Sequence, residues 1–297
     1  GAGNKYSLNN GARVTLSGTT PSLTIGGQAY AVINTLDALQ SVKEGLSGRY
    51  ALGKDIDASA TSGWNSGAGF LPIGTNASNF TGAFDGLGHT INKLTISSNQ
   101  PELGLFGSSG GLIRNIGLTG VAVTWTGDNY YNAYVGGLVG YNSGTITNAY
   151  STGSVSATGS YSEIGGLVGE NSNGVITNSY STANVTATDA TAGGLVGYNM
   201  GTVTNAYSTG NVIAKIGGYV GGLAGQNDSG SIKNAYSTGS VKSESTAYGS
   251  VGGLVGENYH ATIENAYSTG KVEGGEYTGG LVGHSVGWAS SYSVIKN

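Results

Sequence analysis

The residues of this 297-residue chain able to do acid–base or metal chemistry are few and scattered. Cysteine is absent, which removes thiolate nucleophiles, thiolate metal sites and disulfides. The three histidines, His89, His260 and His284, lie far apart, and a turn or solvent-exposed role is expected for each. Glycoside hydrolysis needs two carboxyl groups set across one bond. The acids Asp55, Asp57, Asp85, Asp128, Glu163, Glu170, Glu257, Glu264, Glu273 and Glu276 show no such grouping. Asp55-Ile56-Asp57 places two acids on one side of an extended strand. Calcium asks for roughly six to eight oxygens, and no EF-hand or glycine-aspartate nonapeptide surrounds this pair. It reads as a turn or strand edge. The expectation is a chain without catalytic residues, metal or cofactor.

Aromatic residues carry more of the pattern. Tyr150, Tyr180, Tyr207, Tyr236 and Tyr267 recur in register, with Tyr292 extending the series past a deletion. Rings pointing outward would offer a stripe for stacking on sugars, whereas rings leaning on a corner would be scaffold. Such regularity favours scaffold. Strand alternation puts Ile146, Asn148 and Tyr150 on one face, unless a bend at the asparagine reverses the last. Positions that vary between units point better to recognition. One slot reads Tyr141, Glu170, Tyr198, Gln226, Glu257, His284, and the loop before it changes in length and content. Trp125, Tyr130, Tyr131 and Tyr134 form the densest aromatic patch in this variable set, and they are the predicted ligand-binding residues.

The elements that must hold these side chains are repeats. Gly136-Gly137-Leu138-Val139-Gly140-Tyr141-Asn142 returns from Gly165, Gly193, Gly221 and Gly252, and in altered form from Gly279, at intervals of 29, 28, 28, 31 and 27 residues. Asn148-Ala149-Tyr150-Ser151-Thr152-Gly153 recurs after each of the first five copies, and Leu103 to Val123 aligns as a degenerate earlier one. Each unit reads as three short strands separated by Asn-Ser-Gly and Ser-Thr-Gly turn clusters. One unit cannot bury its own apolar face, but stacked units share a core. Leu138, Leu167, Leu195, Leu223, Leu254 and Leu281 would form one interior column, and Ile146, Ile176, Val203, Ile232 and Ile263 another. Asn148, Asn178, Asn205, Asn234 and Asn265 would hydrogen-bond along the axis. A propeller blade needs about 40 residues and four strands, too many for this unit. The fold class is therefore all-β, a parallel β-helix. Residues 1–102 form an irregular first section and 103–297 the repeat section of the same solenoid. A short helix is predicted at about 35–46, capped by Thr35, with Leu36, Leu39, Val42 and Leu46 on one side.

Composition excludes several classes. Glycine contributes 56 residues without a Gly-X-Y period, so collagen is out. Twelve basic against sixteen acidic residues leave no basic footprint for nucleic acid. No apolar run approaches the roughly eighteen residues a membrane span needs. The sequons at Asn76, Asn79, Asn184 and Asn227 offer acceptors for sugars, and chance matches are expected in a chain this rich in Asn, Ser and Thr.

A family resemblance then emerges. Tyr30-Ala31-Val32-Ile33-Asn34-Thr35-Leu36, Gly48-Arg49-Tyr50-Ala51-Leu52, Gly69-Phe70-Leu71-Pro72-Ile73-Gly74 and Phe80-Thr81-Gly82-Ala83-Phe84-Asp85-Gly86 resemble recurring phrases of filamentous-haemagglutinin-type exoproteins. The Gly-Leu-Val-Gly units resemble the GLUG repeat found in such adhesins. The resemblance implies a right-handed β-helix in a large bacterial exoprotein, exported by two-partner secretion through an outer-membrane partner. It implies a chain free of enzymatic activity that works in adhesion, virulence or biofilm formation. It also implies a monomer at the cell surface, with a host-cell or matrix glycan or a surface receptor as partner. A polysaccharide lyase or hydrolase, or a pure stalk, are the alternatives.

Overall fold

The computed structural model describes residues 6, 8, 11–18, 21–127, 133–287 and 293–296. They form a parallel β-solenoid. One of its sheets counts the coils: Phe106–Ser109, Val139–Asn142, Val168–Asn171, Val196–Asn199, Ala224–Asp228, Val255–Tyr259 and Val282–Val286 stack in parallel register, one strand per coil. A representative coil runs through Val196–Asn199, Thr202–Ser208, Val212–Gly217 and Tyr219–Gly221. The sequence places the first three of these. The fourth forms because the Gly-Gly-Leu-Val-Gly run bends: one strand ends on its first glycine and the next begins at its valine.

The bends keep their hydrogen bonds along the axis. Leu138, Leu167, Leu195, Leu223 and Leu254 each donate an amide to the equivalent leucine of the next coil. Their side chains have no solvent exposure, and neither do Ile146, Ile176, Val203, Ile232 and Ile263. Full burial of such a side chain is worth about 1.5–3 kcal/mol. Both predicted columns therefore hold, with Leu281 only partly covered.

Asn148, Asn178, Asn205, Asn234 and Asn265 all sit at left-handed φ between 49° and 52°. Asparagine tolerates this region because its short side chain hydrogen-bonds locally. The bend reverses the facing of the residues after it. Ile146 points in, Ala149 and Ser151 are buried, and Tyr150 lies between them facing outward. The predicted ladder forms from Asn178 to Asn265, through Asn205–Asn178, Asn234–Asn205 and Asn265–Asn234 amide bonds of 3.0–3.1 Å, while Asn148 donates instead to Asn115 at 3.0 Å.

A second ladder lies inside. Asn142, Asn171, Asn199, Asn227 and Asn258 are fully buried and pass hydrogen bonds of 2.7–2.8 Å from each Nδ2 to the next Oδ1. Asn227, one of the sequon asparagines, is thus out of reach of glycosylation in the folded chain.

The first section is an irregular cap on the stack. Helix Leu36–Gln40 continues as a 3-10 turn over Ser41–Glu44, and the Thr35 hydroxyl caps it by accepting from the Ala38 amide at 3.2 Å. Leu39 and Val42 are its buried contacts with the core. Beneath them, Phe80, Phe84 and Phe106 pack at centroid distances of 5.0 and 5.4 Å. Asp55 and Asp57 take the predicted structural roles. Asp55 accepts from Arg13, His89 and the Thr90 amide, and Asp57 from the Ser59 amide. His89 departs from expectation: it is 2% exposed, held between Asp55 and the Val14 carbonyl as the N-terminal segment crosses it.

Candidate functional site

The repeated tyrosines answer the question their regularity raised. Tyr150, Tyr180, Tyr207, Tyr236 and Tyr267 stack with centroids 4.6–5.1 Å apart and ring planes within 5° of parallel. Tyr150 also lies over Gly117, where a Cβ would come within 2.3 Å of its ring. Ring faces inside the stack are covered by neighbouring rings, so only their edges meet solvent. The tyrosines face outward and are nevertheless scaffold, because a sugar needs an uncovered face. Tyr292 lies outside the described residues.

The predicted binding patch does not assemble as one surface. Trp125 is 1% exposed and belongs to the core. It continues the buried alternation of Val121 and Val123, and Gly127 and Gly159 crowd its ring. Tyr130 and Tyr131 lie outside the described residues. Tyr134 alone of the four is placed at a surface site, and it meets Tyr141 edge-on at 5.4 Å.

That contact reveals a groove. Strand Ala133–Gly136 and strand Val139–Asn142 flank the Gly-Leu bend, and side chains of the two strands meet across it at Tyr134–Tyr141, Glu163–Glu170 and Tyr277–His284. The approach depends on glycine: a Cβ at Gly140 would sit 2.7 Å from the Tyr134 carbonyl oxygen, and one at Gly136 would sit 2.1 Å from that of Val139. Strand register sets Glu102, Tyr134, Glu163, Thr191, Tyr219, Ser250 and Tyr277 on one wall. The other wall carries Ser108, Tyr141, Glu170, Tyr198, Gln226, Glu257 and His284. The second wall is the variable slot of the sequence. The first wall was missed, because its pairing seven residues away depends on the corner.

Two carboxyl clusters mark the groove. Glu163 hydrogen-bonds to Glu170, and its Oε2 is buried without a hydrogen-bond partner. Burial, reinforced by the neighbouring Glu170 charge, pushes the Glu163 carboxyl well above the usual range, so it holds its proton at neutral pH. Burial also raises Glu170. Tyr134 beside them is pushed up to about 12, first by burial and then by the Glu170 and Glu163 charges. Tyr198 donates to Asp228 at 2.6 Å and is raised by burial and that bond.

Further along, Glu257 is 7% exposed and accepts from Gln226 at 2.8 Å. The His284 ring nitrogen lies 3.1 Å from its other oxygen, and burial together with the Glu257 carboxylate raises Tyr219 beside it. Glu257, Tyr219, Ser250, Tyr277 and His284 line a cavity of about 410 Å³. His260 takes the turn position expected of it, at φ 49°.

The arrangement is suited to binding a long polar ligand. Directly hydrogen-bonded carboxyls are closer than the roughly 5 Å or more that glycosidase pairs keep to admit a sugar or water. Among the described residues, no group of three or more His, Asp or Glu is placed to hold a metal. No helix among them is long and apolar enough to cross a membrane.

Comparisons with known proteins agree with the repeat and the fold. Five copies of the GLUG motif match residues 131–156, 160–186, 189–213, 216–242 and 247–273. The chain is 40% identical to halomucin of Haloquadratum walsbyi over 149 residues, which is 46% of this chain and 2% of that protein. It is 38% identical over 122 residues to a protein of Evansella cellulosilytica named as a candidate Gly-rich membrane protein, covering 39% of this chain and 14% of the relative. The chain thus spans a small part of the curated relatives it matches. Among solved structures it resembles a candidate immunoglobulin A1 protease from Bacteroides ovatus, with TM-score 0.60 and 21% identity over 91% of this chain and 74% of that one. It also resembles an IgA1 protease, with TM-score 0.58 and 17% identity over 89% of this chain and 21% of that one. At such identities the likeness is one of fold. The chain thus carries five GLUG motifs in a parallel β-solenoid.

Proposed function

We propose that this chain is a non-catalytic segment of a secreted cell-surface adhesin, and that its groove contacts a host-cell or matrix glycan. The observation that carries the reading is the division of labour around each coil. Positions facing the core and the tyrosine stack repeat nearly unchanged, while the two groove walls alter from rung to rung among Tyr, Glu, Gln, Ser, Thr and His. In solenoids such variation collects on the binding face. Surface location is supported by the names of the two relatives, a halomucin and a Gly-rich membrane protein. Export of the filamentous-haemagglutinin type through an outer-membrane partner, and roles in virulence or biofilm, rest on the phrases of the first section that resemble such exoproteins.

A glycan array probed with the chain, beside a reducing-sugar release assay, tests the reading. The expected result is retention of glycans that a Tyr134→Ala, Tyr141→Ala double substitution weakens, with no release of reducing ends. Release of reducing ends would make it an enzyme, and unimpaired binding by the double variant would move the site elsewhere.

A further inference from the structure

We infer that the groove selects glycans bearing protonated amines, and that the Glu257 cavity seats an amino sugar. This inference rests on the glycan-binding reading above and names the class of ligand.

The charge of the walls is the first ground. Among the fourteen wall positions, four are glutamates (Glu102, Glu163, Glu170 and Glu257), of which Glu163 keeps its proton and lends no charge, and none is Lys or Arg. A fifth acid, Asp228, accepts from the wall tyrosine Tyr198. Sulfate, phosphate or carboxylate groups on a ligand would enter this field without a cationic partner beyond His284. An ammonium enters it favourably, and a concave low-dielectric cleft focuses the effect.

The cavity supplies the second ground. Glu257 is nearly buried, and Gln226 and His284 fix its carboxylate by hydrogen bonds, one at each oxygen, so its acceptor direction is set before a ligand arrives. Tyr219 and Tyr277 bring aromatic rings to the same space; Tyr277 stacks one face on the His284 ring at 4.6 Å and, being 47% exposed, keeps the other open. Carboxylate and ring face together are the combination that holds an amine, through a charge-assisted hydrogen bond and a cation–π contact. A neutral hydroxyl would also hydrogen-bond there, but would gain neither the charge nor the cation–π term. An acetylated amine is both neutral and bulkier.

The test uses the whole chain and three families of oligosaccharide: glucosamine oligomers, their fully N-acetylated counterparts, and sulfated oligomers of similar length. Calorimetry is run at a pH where the free amines are charged. Glucosamine oligomers are expected to bind at least about tenfold tighter than the acetylated ones, a step of about 1.4 kcal/mol. The preference should shrink with salt and vanish in a folded Glu257→Gln variant. Tyr277→Lys, at an exposed position, should turn the preference toward sulfated oligomers. Equal or tighter binding of acetylated or sulfated oligomers by the unmodified chain overturns the selectivity and leaves glycan binding standing. Preference retained in Glu257→Gln and Tyr277→Lys together overturns the cavity assignment. Failure of every oligosaccharide here and on the array overturns the glycan reading itself, and the selectivity with it.

Discussion

Replacing Asn199 by alanine is expected to be far more damaging than replacing Asn205, although both belong to asparagine ladders. Asn199 uses every hydrogen-bonding valence of its amide. Its Oδ1 accepts from Asn171 at 2.8 Å and from the Gly201 amide at 3.3 Å, while its Nδ2 donates to Asn227 at 2.7 Å and to the Gly201 carbonyl at 3.2 Å. Truncation strands one N–H of Asn171 and the Oδ1 of Asn227, both on fully buried residues. A stranded buried group costs about 1–3 kcal/mol, so the pair predicts a loss of about 2–6 kcal/mol. Asn205 is different. Its ladder bonds are exposed, and its burden is φ 52°, which costs alanine about 1–2 kcal/mol. Urea unfolding of the two variants beside the parent, followed by far-UV circular dichroism, gives the comparison. Solenoids lose cooperativity between coils, so hydrogen exchange at the amides of Val168 to Asn171 and Ala224 to Asp228 should show the local share. A loss below about 1 kcal/mol for Asn199→Ala, or one no larger than for Asn205→Ala, would refute the claim that the inner ladder is held by satisfied amides.

Two further outcomes are expected from the same geometry. Tyr207→Ala removes two ring stacks worth about 0.5–1.5 kcal/mol each and should lower thermal stability, while Tyr207→Phe should be nearly neutral and neither should alter glycan binding; a binding defect in both variants would return the stack to the ligand site. Glu163 has a folded-state pKa raised above its unfolded value, so its contribution is fully present below about pH 4.3 and is lost as pH rises through the folded value. Melting temperatures should accordingly fall from acid toward alkaline pH more steeply in the parent than in Glu163→Gln, and parallel profiles would contradict the buried, protonated carboxyl.

Much of this molecule was written in the residues. The leucine and isoleucine columns follow from period and apolarity, and the capped helix follows from Thr35 and the spacing of Leu36, Leu39 and Val42. The misreadings have physical causes. Trp125 looks like part of an aromatic patch when neighbours are counted along the chain. Strand alternation with Val121 and Val123 turns it inward. His89 is buried by a segment some 75 residues away, a contact no local pattern encodes. The groove needs the bend between two strands, whose signal was the glycine pair at 136 and 140 flanking every Leu-Val. The inner ladder was in view as the asparagine ending each Gly-Leu-Val-Gly phrase, but only the corner tells that it points inside.

The direction of the hydrogen bonds has a mechanical consequence. Strand pairing and both amide ladders run along the solenoid axis, so a pull on the two ends loads them in opening, one interface at a time. Nearest-neighbour coupling confines each rupture to the terminal coil. Every coil that lets go releases roughly 28 residues of chain, about 90 Å of extended length against the about 5 Å it occupied in the stack. Such a rod yields under tension in small steps, coil by coil, instead of all at once.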